Sequence, residues 1–207
     1  MILSLSGSFL LVFLTLHLAL NLTALRSREL YDAVCAFMDE SFLVQLMVPV
    51  LAFGFIFHIL FSFWIELNNW SARSGARYLV PTKTKASSWA SKHMFALGMV
   101  ILGFLVLHFC HFWAKMQLQH MLGNKGANAY DLLIQLFSQW QYCVLYVIWL
   151  GAVYFHISHG LWSAFHSIGM DNVHWIPRLK FLGRLYGGLL FLAYSAIPFY
   201  FFFGFYK

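Results

Sequence analysis

Four histidines, His17, His58, His108 and His159, fall one apiece in four of five long apolar segments. An imidazole surrounded by hydrocarbon needs a partner, so a histidine inside a membrane span is a functional candidate by default. At a rise of about 1.5 Å per residue, His17 lies about 13 Å from Arg26 at the far end of the first segment, and His108 about 10 Å from Lys115 at the far end of the third. Segments two and four run the other way, and there His58 lies about 12 Å from Glu66 and His159 about 10 Å before the polar turn at His166. Depth therefore pairs His17 with His108 towards one face and His58 with His159 towards the other. Iron in a porphyrin has two axial positions. An imidazole nitrogen on each fills both and leaves no open site for oxygen or substrate, which suits a centre that moves electrons. The two pairs point to two haems.

The neighbouring histidines compete for these roles. His111 would lie about 6 Å from Lys115, shallower than His17, and His156 would sit deeper than His58; both read as packing neighbours of the ligands. His93, His120 and His174 fall at helix ends or in loops. A histidine proton relay would usually include an intramembrane carboxylate. No Asp or Glu occurs in the five apolar cores, the nearest being Asp39, Glu40 and Glu66. That absence favours haem over a proton-coupled transporter, or over an anchor whose histidines only hydrogen-bond across helices.

The elements that must position these residues are set by composition. The chain is 61% hydrophobic and only 10% charged over 207 residues, outside the range of a water-soluble domain. Apolar runs at roughly 3–25, 42–67, 94–114, 140–167 and 181–205 each supply the ~20 residues a spanning helix needs. The expectation is a single all-α membrane domain, four helices forming a haem-binding bundle and a peripheral fifth without histidine. The first run lacks a positive leading region and a small-residue cleavage site, so it reads as a span and not a signal peptide.

Arg73, Arg77, Lys83, Lys85, Lys92, Arg178, Lys180 and Arg184 lie on the N-terminal side, against Arg26, Arg28, Lys115, Lys125 and Lys207 on the other. This bias predicts a cytoplasmic N-terminus, and the basic loops read as topology signals and lipid headgroup contacts. No interleaved basic and aromatic pattern suggests nucleic acid. Cys35, Cys110 and Cys143 form no CxxC or CxxCH, so zinc, iron–sulfur and covalently attached haem are not indicated. Pro49 and Pro198 are expected to kink their helices. Recurrent glycines read mostly as helix-packing positions; Gly54, one turn before His58, and Gly160, beside His159, are the two connected with a macrocycle.

The stretches SGSFLLVFLTLHLALNL, FHILFSFWIELNNWSARSGARY, FLVLHFCHFW and FHISHGLWSAFHSIG, around His17, His58, His108 and His159, together resemble the five-helix di-haem cytochrome b anchor of succinate:quinone oxidoreductases, the family of succinate dehydrogenases and fumarate reductases. The likeness runs over nearly the whole chain. It implies two b haems ligated by the pairs above, and electron exchange with a membrane quinone, menaquinone being the expected one. It also implies a flavoprotein carrying FAD and an iron–sulfur subunit docked on the cytoplasmic face of a bacterial inner membrane, in a respiratory complex able to dimerise as a whole. The succinate or fumarate site would lie on the flavoprotein, since this chain has neither a GxGxxG turn nor cluster ligands.

Quinone chemistry needs proton-exchanging groups at the membrane edge, and Asp39 and Glu40, read as opening the second helix, are the candidates, with Asn21 one turn beyond His17. Arg73, Lys92 and His93 are the expected partners of the inner haem propionates. Some di-haem fumarate reductases carry a glutamate near the ligand of helix four. Here His159 is preceded by His156, Ile157 and Ser158, so proton conduction through such an acid is not expected. A di-haem cytochrome b of another dehydrogenase or hydrogenase would share the histidine pairs and differ in its docking partner.

Overall fold

The computed structural model describes residues 1–73, 89–170 and 172–207. Among them all regular structure is helical: α1 (Ile2–Leu22), α2 (Arg28–Glu40), α3 (Phe42–Arg73), α4 (Met94–His108), α5 (Ala129–Phe137), α6 (Trp140–Ser167) and α7 (Trp175–Phe202). Five of these, α1, α3, α4, α6 and α7, are long and apolar enough to cross a membrane. The chain is an all-α, multi-pass membrane protein.

Helix α1 sits centrally, touching α3, α6 and α7, while α4 packs on α6. Helices α3 and α4 meet through rings, Phe63 and Trp70 against Phe95. The most apolar stretch of α3 has none of its residues buried, so the helix bearing His58 is only loosely covered by the other described helices. The longest seam joins α6 to α7. A Cβ at Gly183 would lie 2.8 Å from the Ser158 carbonyl oxygen, and one at Gly187 2.9 Å from Ser158 Oγ, so two glycines one turn apart let the two backbones touch. The histidine-free α7 is therefore no loose appendage.

Two helices escape the search for long apolar runs. Ser27 accepts a hydrogen bond from the Leu30 amide and starts α2, and Asn128 does the same for Asp131 and starts α5. Hydrogen bonds from its own backbone and from Ser27 hold the Glu29 carboxylate below its usual range. Arg28 joins the two helices, pairing with Asp131 at 2.9 Å and lying over the Tyr130 ring, while Asn128 Nδ2 donates to Asp32. Tyr31, Tyr130, Leu133, Phe137, Tyr146 and Phe201 belong to the buried cluster beneath. This end is called the capped end below.

Other departures from expectation are local. Helix α7 begins at Trp175, not Phe181, with Pro177 in its first turn, where a missing amide proton costs nothing. Pro49 and Pro198 lie inside α3 and α7, where the expected kinks would leave the helices continuous. Beyond His108 the chain passes into a π-helical turn, Phe109–Trp113, closed by the Ala114 amide donating to the Phe109 carbonyl at 2.8 Å.

Candidate functional site: two facing histidine pairs

Near the capped end the His17 and His108 rings face each other with centroids 6.0 Å apart and planes at 90°. Phe13 stacks on His17, and Phe112, Trp149 and Tyr146 surround His108. The Asn21 amide donates to the His17 carbonyl at 2.8 Å, and its oxygen accepts from Tyr31 Oη at 3.2 Å. Burial pushes the Tyr31 phenol well above its ordinary pKa, so it acts as a neutral donor. Tyr194 of α7 brings its ring 6.3 Å from that of His17 and donates to the Leu14 carbonyl.

At the opposite end the ring facing His58 is that of His156, at 6.4 Å and 72°. The sequence expectation paired His58 with His159. That ring instead packs edge-on against Trp162, 5.0 Å away, and Trp162 in turn carries Lys180 over its face. Depth along a helix does not separate residues three apart, which lie within one turn of each other; the rotation of α6 does. Glycines flank the pair: a Cβ at Gly7 would lie 3.4 Å from His58 Cε1, and one at Gly98 3.9 Å from His156 Cε1.

The ring separations carry chemical information. A ring nitrogen lies about 1.2 Å from its imidazole centroid, so two rings joined by an N–H···N bond of ordinary length would have centroids no more than about 5.5 Å apart. Both pairs exceed that. Two imidazoles on opposite faces of one metal ion, each bonded at about 2.0 Å, place their centroids about 6.3 Å apart. Both gaps are too long for a hydrogen bond between the rings; they lie within the range of about 4.5–7 Å for packed aromatic rings and near the spacing of two imidazoles that share one metal atom. The buried Nδ1 atoms of His108, His156 and His159 have no hydrogen-bond partner within the described residues.

His58 shows the orientation expected of a ligand. Ser6 Oγ donates to the Leu3 carbonyl at 2.9 Å and lies 3.0 Å from His58 Nδ1. In the tautomer that carries its hydrogen on Nδ1, His58 would donate to the serine oxygen and keep the Nε2 lone pair free. Among the described residues no three His, Cys, Asp or Glu side chains converge on one point.

No protein-family model, curated protein or solved structure matches this chain. The site therefore rests on its geometry.

The remaining candidates are placed unevenly. Asp39 and Glu40 do not open the second span; they close α2, and Ser41 in extended backbone separates them from α3. Both are exposed, and Asp39 accepts from Gln117 Nε2. Lys92 is exposed, and His93 leads into α4 with its ring against Trp89. The Arg73 side chain, Arg77, Lys83 and Lys85 lie outside the described residues. Gly54 is occupied by helix packing, since a Cβ there would lie 2.6 Å from Phe9 Cε1, whereas Gly160 opens onto free space. Sequence reasoning missed Ser6, Tyr146 and Tyr194; an i to i+52 hydrogen bond such as Ser6 to His58 has no local signal.

Proposed function

We propose that this chain is the haem-bearing, quinone-reactive membrane anchor of a succinate:quinone oxidoreductase, in which His17 and His108 would hold one b haem and His58 and His156 the other. The observation that supports the reading is that histidines from four different spans meet ring to ring in two pairs, one towards each end of the bundle. When bound, the haems would supply one-electron steps between an iron–sulfur partner and a membrane quinone. The chain's own part is to hold four imidazoles at fixed depth and rotation. Ser6 orients His58, Asn21 and Tyr31 brace α1 at His17, and Gly7 and Gly98 keep the space beside the His58–His156 pair free of side chains.

In this reading the capped end faces the outside of a bacterial cytoplasmic membrane and the N-terminus lies inside, as the basic loops favour. FAD and iron–sulfur clusters reside on the partner subunits. A dithionite-reduced minus oxidised spectrum of the purified complex, with pyridine haemochrome quantitation, tests it. Two b haems per chain, with a flavoprotein and an iron–sulfur protein co-purifying, are the expected result. Two haems with a different docking partner would assign the cytochrome to another dehydrogenase or hydrogenase. A folded complex without haem would refute the reading.

A further inference from the structure

The π-helical turn after α4 carries a polar pair that the two histidine gaps do not use. His111 Nδ1 lies 2.9 Å from Tyr146 Oη, and its ring is stacked on Tyr146 and met edge-on by Tyr142 at 5.2 Å. A π turn inserts one residue into a helix and is frequently found at functional sites. Tyr146 is buried while His111 is only partly covered, inside a segment whose surroundings are lipid. The Tyr146 ring also lies 6.3 Å from that of His108. One aromatic ring thus touches both the inward pair and this half-open histidine.

We propose that His111, held by Tyr146, binds a carbonyl oxygen of a lipid-borne quinone headgroup at the capped end. This rests on the electron-transfer reading above, and names the place where the quinone would meet it. With Tyr146 Oη donating to Nδ1, the outward Nε2–H donates to a quinone carbonyl. With Nδ1–H donating to Tyr146, the Nε2 lone pair accepts from a quinol hydroxyl. The same side chain therefore suits the oxidised and the reduced ligand by exchanging one hydrogen with its neighbour. Tyr142, partly exposed beside His111, supplies apolar ring surface for a planar headgroup, while buried Tyr146 sets the histidine's hydrogen. Asp39 and Glu40, the groups favoured by sequence, are exposed and at the end of α2, with no ring stacked on either that would seat a quinone.

The test is a fluorescence titration of the detergent-solubilised complex with a 2-alkyl-4-hydroxyquinoline N-oxide as quinone analogue, alongside haem quantitation on the same samples. His111→Leu is expected to weaken binding about tenfold or more, the scale of one lost hydrogen bond to a buried polar group, with haem content unchanged. His111→Gln, which keeps a donor, should recover most of the affinity, and Tyr146→Phe should weaken binding by a smaller factor. Unchanged binding in His111→Leu, or a loss found in Asp39→Asn and not in His111→Leu, would overturn the assignment. Absence of haem in the unaltered complex, with His111-dependent binding retained, would instead sink the haem reading and leave this site standing.

Discussion

Replacing His156 by alanine should remove one of two haems, and replacing His159 should remove neither. The ring that meets His58 is that of His156, with centroids 6.4 Å apart, close to the spacing of two imidazoles that each bond one metal atom at about 2.0 Å. His159 lies three residues further along α6, displaced by about 4.5 Å along the axis and about 60° around it, and its ring is directed at Trp162. To reach the same metal, α6 would have to slide or turn against α7, which the Gly183 and Gly187 contacts oppose. Pyridine haemochrome quantitation per chain should fall from two to one in His156→Ala and stay at two in His159→Ala. The opposite pattern would refute the use of ring spacing to choose the ligand and restore the choice made from depth alone.

Three further outcomes follow from named contacts. Ser6→Ala removes the acceptor of the His58 Nδ1 hydrogen; the haem of that pair should still be present but bind about 10–100-fold more weakly, read by the rate of haem transfer to apomyoglobin. Gly183→Ala places a methyl 2.8 Å from the Ser158 carbonyl oxygen, an overpacked backbone contact costing about 1–3 kcal/mol, which should appear as a lowered midpoint in thermal unfolding in detergent. Burial, then the charges of Asp39 and Asp32, push the Cys35 thiol up to about 11. At pH 8 only about one part in a thousand is thiolate, so maleimide labelling of Cys35 should be slow and rise as pH climbs towards 11. Rapid labelling of Cys35 at pH 8 would contradict its partial burial against the cluster at the capped end.

The spans were legible because twenty apolar residues in a row have few alternative fates, and the histidines stood out because imidazole is costly in hydrocarbon. The pairing of His17 with His108 by depth coincides with their facing rings. Depth alone does not separate His156 from His159 as the partner of His58, since sequence gives depth to within a turn and gives rotation hardly at all. Helices α2 and α5 were hidden between spans because each is short and amphipathic, although Ser27 and Asn128 are ordinary capping signals. The Gly183 and Gly187 notch is a four-residue spacing that scanning for glycines near histidines passes over.

That notch has a consequence for how a bundle chooses among its own side chains. Residues 156, 158 and 159 occupy three azimuths of one helix, and Ser158 is the one clamped against the glycines of α7. Clamping it fixes the angular setting of α6 like a key in a slot, and that setting points one of two available imidazoles at His58. The helix that carries no histidine thereby decides which histidine is presented.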